Sequence, residues 1–193
     1  MAITIDEFNV GQKSGPLMDV TLPPGYTDYR EDVSILGGSR LMKLTIHHNP
    51  FETPTNLDVS AGHLKLSTGA GQFLGLQLLY GVSEDYRIRS LAGRGVGDFR
   101  SFGSALRTNF CCGVGKDINV TYAVTVYTAS GAIATYVENV HPKPHEPTSV
   151  DFPFERFETL GGSSHAADFS AVTSLYLGID TWGDFVINSI EIV

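Results

Sequence analysis

The chain has 193 residues, a formal net charge of −8, 42% hydrophobic residues and only 18% charged residues. The excess of acidic groups argues against nucleic acid or an acidic membrane surface as a partner. No apolar run approaches the roughly 20 residues that cross a bilayer. The 21 glycines and 9 prolines are typical of many short strands and turns, and we expect one domain, residues 1–193.

The chain opens on a predicted strand, Ile3–Val10. Ile3 and Ile5 share one face, whereas Phe8 and Val10 fall on the other, so we expect a β-bulge near Asp6-Glu7. The polar, proline-broken stretch that follows, Gly11–Asp32, is predicted to be a long loop.

The middle of the chain contains a series of apolar, alternating runs, each of which predicts a strand. These strands are Arg40–His48, His63–Thr68, Gln72–Tyr80, Ser104–Cys112, Ile118–Thr128, Ala132–Val140 and Val150–Phe154. The run Gln72–Tyr80 is apolar on both faces, which predicts that protein or ligand covers both sides. The arginine- and glycine-rich segment Asp85–Gly103 is predicted to be a mobile loop that acts as a lid.

The last 26 residues show the clearest pattern, with Leu175, Leu177 and Ile179 alternating with polar or small residues. Two runs, Thr173–Asp180 and Asp184–Val193, are separated by a short turn that predicts an antiparallel hairpin. An apolar terminal strand needs a partner, so we expect Asp184–Val193 to pair with the first strand.

About ten strands with regular turn signals predict an all-β fold, a two-sheet antiparallel jelly-roll sandwich. Four segments in order resemble secreted bacterial jelly-roll domains of the PEP-CTERM-associated type: Ile35–Arg40, Ala70-Gly71 with Leu79–Gly81, Asp151–Phe154 and Asp168–Ile190. The terminal strand is more distantly similar to those of carbohydrate-binding modules, the complex I intermediate-associated family and the Stig cyclases. The resemblance implies a ligand-binding jelly roll whose fold also supports catalysis in some members.

Aromatic and amide side chains on the strand faces opposite the core are the candidate site, because aromatic platforms with a few polar donors suit sugar rings or flat apolar ligands. We expect an apolar cavity at one open end of the sandwich. The predicted substrate-binding residues are Phe73, Gln77, Asn109, Tyr127, Tyr136, Trp182 and His47, and the predicted catalytic residues are Glu138 and Arg107. Shielded from water, Glu138 would have a raised pKa and could donate a proton.

A structural calcium ion is expected where the first and last strands meet, since jelly-roll modules of the resembled type often hold one there through carboxylate and carbonyl oxygens. The predicted ligands are Asp6, Glu7, Asn188 and Glu191. No organic cofactor is expected, because no nucleotide-binding or nucleophile motif is present.

Two functions remain open at this point. We favour a cofactor-independent cyclase or isomerase that binds an apolar small molecule in a cavity, and the alternative is a non-catalytic carbohydrate-binding module of a secreted bacterial protein. The partner is therefore a small molecule or a glycan, and the oligomeric state is open, a homodimer included. The start shows no signal peptide, so we expect a cytoplasmic protein if Met1 is native and a secreted one with its leader removed otherwise. The adjacent Cys111 and Cys112 suit a reducing compartment.

Overall fold

A computed structural model describes residues 2–17, 26–85, 97–114, 118–143, 145–161 and 167–193. Fourteen strands lie in this part of the chain: β1 Ile3–Asp6, β2 Gln12–Leu17, β3 Tyr26–Glu31, β4 Ser39–His48, β5 Thr55–Ser60, β6 His63–Ser67, β7 Phe73–Tyr80, β8 Ala105–Val114, β9 Val120–Thr128, β10 Ile133–Val140, β11 Thr148–Pro153, β12 Glu158–Thr159, β13 Val172–Thr181 and β14 Asp184–Ile192. Two single 3₁₀ turns, Leu36–Gly38 and Phe154–Arg156, are the helical elements of the described residues, and none is long and apolar enough to span a membrane.

The strands form two antiparallel sheets. Sheet A has the order β11-β8-β14-β6-β5-β2, with β1 also paired to β14, and sheet B has the order β12-β10-β9-β13-β7-β4-β3. The predicted two-sheet, jelly-roll-type sandwich is thereby confirmed.

The core lies between the sheets and follows from the alternation of each strand. Leu74, Leu76 and Leu78 of β7 are fully buried, as are Leu177 and Ile179 of the neighbouring β13. Burying a side chain of this size stabilises the fold by about 1.5–3 kcal/mol. The opposite residues of the same strands therefore form the outer face of sheet B.

The chain termini meet in sheet A, as predicted. Ile3 of β1 lies opposite Ile192 of β14, and beyond the strand the Val193 amide donates to the Ala105 carbonyl at 2.9 Å. A bulge is present, but the pairing register shifts between Thr4 and Asp6, just before the expected position at Asp6-Glu7. However, β1 ends at Asp6 and not at Val10, and Phe8 adopts a positive φ of 53° just beyond it.

The predicted terminal hairpin is wrong. β13 belongs to sheet B and β14 to sheet A, so the short turn around Trp182 connects the two sheets instead of two neighbouring strands. The apolar faces of both runs then point at each other across the core, which buries both alternating patterns at once.

Two parts of the predicted loops are also strands. β2 and β3 lie inside Gly11–Asp32, the segment predicted as a loop. β2 and β3 are at sheet edges, where a strand needs no apolar alternation to be stable. The predicted lid, Asp85–Gly103, falls largely on residues 86–96, outside the described residues.

Candidate functional site

The outer face of sheet B contains an open groove that crosses four adjacent strands, β4, β7, β13 and β9. Its volume is about 240 Å³. The lining residues are Thr45, His47, Gly75, Leu76, Gln77, Thr121, Ala123, Tyr176, Gly178 and Asp180.

The pairing register explains why these side chains form one surface. Residues directly opposite each other on adjacent strands share a face. Gly75 lies between Thr45 and Asp180, and Asp180 in turn lies opposite Thr121. The adjacent row has Gly178 between Gln77 and Ala123. Small residues at the centre of both rows leave a depression in an otherwise side-chain-covered sheet.

The two glycines leave room for side chains that close over them. A Cβ on Gly75 would lie 2.7 Å from His47 Nε2 and 2.9 Å from Asp180 Oδ1. A Cβ on Gly178 would lie 2.8 Å from the Tyr176 hydroxyl oxygen. The side chains of His47, Asp180 and Tyr176 therefore lean over the glycines and form the walls of the groove.

Asp180 and His47 are the charged and titratable pair of the groove. Asp180 Oδ1 lies 4.0 Å from His47 Nε2, and the two side chains remain 52% and 45% exposed. Partial burial raises the pKa of Asp180, opposed by the nearby imidazole. Burial also raises the pKa of Tyr176, with a further contribution from the Asp180 carboxylate. The pair offers a carboxylate acceptor and an imidazole within reach of one ligand.

Several polar groups of the groove have spare hydrogen-bonding capacity. Within the described residues, no side-chain hydrogen bond engages Thr45, Gln77 or Tyr176. Thr121 is different, since its hydroxyl donates to Asn139 Oδ1 at 3.1 Å. Hydroxyl and amide groups that solvent alone satisfies are available to a polar ligand.

An aromatic cluster lies beside the groove. Trp182 stacks on Phe73 with ring centroids 4.8 Å apart and an interplanar angle of 23°. Phe73 also contacts the ring of His47 at 5.2 Å, and His48 meets Trp182 edge-on at 6.2 Å. Trp182 remains 54% exposed, so one aromatic face is available to a ligand.

Four predicted binding residues lie on this surface. His47 and Gln77 line the groove, and Phe73 and Trp182 form the aromatic cluster. Tyr127 points to the same side of sheet B but lies opposite Ser174, outside the groove lining.

The sequence prediction missed the residues that shape the groove. They are Thr45, Gly75, Thr121, Ala123, Tyr176, Gly178 and Asp180. A usable signal existed for two of them, because Tyr176 and Gly178 alternate with the buried leucines of β13.

Tyr136 and Glu138 were predicted to share a face with Tyr127, which is wrong. They lie opposite Val124 and Tyr122 and therefore take the inward-facing phase at the edge of sheet B. The Tyr136 hydroxyl donates to Glu138 Oε2 at 2.6 Å, and this bond raises the pKa of Tyr136. Tyr136 lines a separate depression of about 380 Å³ at this edge.

Arg107 and Asn109 lie on the opposite side of the sandwich, on the outer face of sheet A. Arg107 forms a two-point salt bridge with Asp151 at 2.6 and 2.8 Å. Asn109 donates to both Ser189 and Glu191 at 2.9 Å. The residues predicted to enclose one cavity thus occupy three different surfaces, and the expected acid–base pair of Glu138 and Arg107 is not assembled.

The predicted calcium ligands do not converge. Asp6 points into the protein, where its carboxylate accepts from Arg40 at 2.6 Å and from the Tyr80 hydroxyl at 3.1 Å. Asn188 contacts His63 at 2.9 Å, whereas the exposed Glu7 accepts from its neighbour Asn9. Glu191 accepts a hydrogen bond from the Asn109 amide on the outer face of sheet A. No group of three or more potential metal ligands occurs among the described residues.

Several solved structures are similar to this chain over most of its length. A family 11 carbohydrate-binding module from Clostridium thermocellum, in complex with a β-1,3-1,4-mixed-linked tetrasaccharide, is 11% identical over 95% of each chain, with a TM-score of 0.42. The family 11 module of the cellulosomal cellulase Lic26A-Cel5E of Clostridium thermocellum is also 11% identical, over 93% of this chain and 94% of that one, with a TM-score of 0.41. An agarase is 9% identical over 98% of this chain but only 24% of its own, with a TM-score of 0.45.

No protein-family model and no curated protein matches the chain. The similar structures include carbohydrate-binding modules, one of the groups that the terminal strand resembles. No match supports the finer resemblances to PEP-CTERM-associated domains, the complex I intermediate-associated family or Stig cyclases. At these identities and TM-scores the similarities assign no function, so a functional argument has to rest on the groove.

Proposed function

We propose that this protein binds a neutral glycan non-catalytically in the groove of sheet B. The observation that supports this most strongly is the combination of a glycine-floored trench, polar walls with unused hydrogen-bonding groups, and a stacked, exposed tryptophan beside it. Sugar rings present an apolar C–H face for aromatic stacking and hydroxyls for polar side chains.

The dimensions favour an oligosaccharide over a single sugar. The groove crosses four strands, and neighbouring strands lie about 4.8 Å apart, so the crossing measures roughly 14 Å. Trp182 extends the surface beyond Phe73. A ligand that lies across the strands would meet Gln77, Asp180 and Thr121 in turn.

The cyclase expected from the resemblance has less support. Its proposed acid, Glu138, already accepts a hydrogen bond from Tyr136 and belongs to the inward-facing phase of β10. Its proposed partner, Arg107, is bound to Asp151 on the other sheet. A groove with half-exposed walls also does not exclude water, which such acid–base chemistry requires.

The experiment is affinity electrophoresis and calorimetry with soluble mixed-linkage β-glucan, xylan and agarose oligosaccharides. We expect binding of at least one, weakened about tenfold by Trp182→Ala, since contacts to an aromatic ring are worth about 0.5–1.5 kcal/mol beyond the area that they bury. Leu160→Ala is the matched control, because Leu160 is also half exposed (48%) but lies at the β10–β12 edge. Binding to none of the three, or equal losses in both variants, would contradict the proposal.

A further inference from the structure

We propose that Asp180, held beside His47 above Gly75, makes the groove selective for uncharged glycans and rejects those with carboxylate or sulfate groups. This inference rests on the proposed function and specifies the class of sugar that the groove accepts.

Asp180 occupies a central position in the groove. Its strand, β13, lies between β7 and β9, and its carboxylate reaches over Gly75, where a Cβ would come within 2.9 Å of Oδ1. In the same cross-strand row, Thr45 lies beyond Gly75 on β4 and Thr121 lies on the other side of Asp180 on β9. A ligand that crosses the strands along this row therefore has to pass the carboxylate.

In the described part of the chain, the titratable groups that face the groove include no cation that forms a close ion pair with the Asp180 carboxylate. On β4 these groups are Lys43 and His47, on β13 they are Tyr176 and Asp180 itself, and on β9 there is Tyr127; β7 contributes none. Lys43 lies opposite Gln77 and is not part of the groove lining. Among the described residues that line the groove, none is a lysine or an arginine.

Three arginines among the described residues are engaged with carboxylates of their own. Arg40 is fully buried against Asp6 at 2.6 Å, Arg107 is paired with Asp151 at 2.6 Å, and Arg30 contacts Asp28 at 3.1 Å. Carboxylates and sulfates on a ligand are usually recognised by guanidinium groups in two-point contact. The groove lacks that partner among its described residues and presents a carboxylate in its place.

A neutral sugar meets the same carboxylate favourably. Hydroxyl groups donate to an ionised carboxylate in charge-assisted hydrogen bonds, and the imidazole of His47 stands 4.0 Å away to serve a neighbouring hydroxyl. Partial burial raises the pKa of Asp180, and a second negative charge nearby would disfavour its ionised form further. Selectivity of this kind works by repelling the wrong ligand.

The test uses three neutral polysaccharides, mixed-linkage β-glucan, xylan and agarose, each beside a hydroxyethylated and a carboxymethylated form. The hydroxyethyl group controls for size, so the ratio of the two affinities reports charge alone. We expect the wild-type protein to bind the carboxymethylated form at least tenfold more weakly than the hydroxyethylated form. Asp180→Asn should reduce that ratio several-fold.

Glu7→Gln is the matched control, since it removes one equal charge from an exposed side chain on the sheet-A side. If Asp180→Asn and Glu7→Gln leave the same ratio, the inference is overturned while neutral-glycan binding stands. If the wild-type protein binds none of the neutral polymers, the proposed function fails together with it. If Asp180→Asn does not fold, Asp180→Ser replaces it. In addition, the wild-type ratio of the affinities for the hydroxyethylated and carboxymethylated polymers should approach one at high salt, because salt screens charge repulsion. A ratio that does not change with salt overturns the inference.

Discussion

The outer faces of the two sheets are both polar, yet they use their polar groups differently. On sheet A, Ser149 donates to Asn109 at 2.7 Å, Asn109 donates to Ser189 and Glu191, and Arg107 pairs with Asp151. On sheet B, the groove has glycines at its centre and polar walls whose hydrogen bonds are largely unmade. A polar strand face therefore indicates a binding site only where its neighbours leave the polar groups unsatisfied.

The largest expected effect tests a polar pair that is fully satisfied. Asp6→Asn leaves the buried Arg40 without a counter-charge, and removing one partner of a buried ion pair costs about 3–5 kcal/mol of unfolding free energy. Arg40 and Asp6 have 0% and 3% side-chain exposure, so solvent cannot compensate. Urea denaturation measures the loss, and Asp6→Asn combined with Arg40→Met should recover part of it. A single variant as stable as the wild type would contradict this assignment.

The next effect removes the groove without removing the fold. Gly75→Val places a branched side chain where His47 and Asp180 now meet, and both contacts are with the ends of side chains that can move. Valine also suits a strand. We expect neutral-glycan affinity to fall about 100-fold, or about 2.7 kcal/mol, with a small change in melting temperature. Thr4→Val, which places the same side chain on the outer face of sheet A, should leave the affinity unchanged.

Asn109→Ala should show the reverse behaviour. It deletes the centre of the sheet-A network and leaves the acceptors and donors around Ser189 unpaired, which costs about 1–2 kcal/mol of stability. The affinity for neutral glycan should not change, because Asn109 lies on the opposite side of the sandwich. A loss of affinity without a loss of stability would mean that the binding face has been assigned to the wrong sheet.

The smallest effect concerns pH. Hydroxyl donors favour the ionised form of Asp180, so its pKa should be lower in the complex than in the free protein, where burial raises it. The affinity is therefore highest above the Asp180 pKa of the free protein and falls as the pH drops through that pKa. The fall is at most about tenfold for each unit by which the pKa of the free protein exceeds that of the complex. His47 Nε2 lies 4.0 Å from Asp180 Oδ1, so calorimetric pH profiles of His47→Gln and Asp180→Asn show which of the two side chains carries the dependence. An affinity that rises on acidification has the wrong sign for this account.

The sequence predicted the fold better than the site, for reasons visible in single strands. Alternation in β7 and β13 is unambiguous because every second residue is a large aliphatic, so the outward positions of Phe73 and Gln77 were correct. In β10 the residues on both faces of the strand are a mixture of apolar and polar types. The turn around Gly131 sets the pairing of Ile133 with Tyr127, and this register decides which face Tyr136 lies on. Sequence alone does not give that register.

The groove itself was hidden for a different reason. Gly75 and Gly178 contribute to it through the side chain that they lack, and the aspartate at its centre is one of 21 acids in the chain. The predicted calcium ligands are dispersed for a related reason, since Asp6 follows a bulge and its carboxylate points inward to Arg40.

Chemical-shift mapping of the backbone amides, during titration with oligosaccharides of the neutral polymer that binds most tightly, tests most directly whether the outer face of sheet B is the binding surface. The largest shifts should occur at Gly75, Gln77, Gly178 and Trp182, with the amides of Arg107 and Asn109 unmoved. Largest shifts on the outer face of sheet A, or at the Tyr136 edge, would contradict the account.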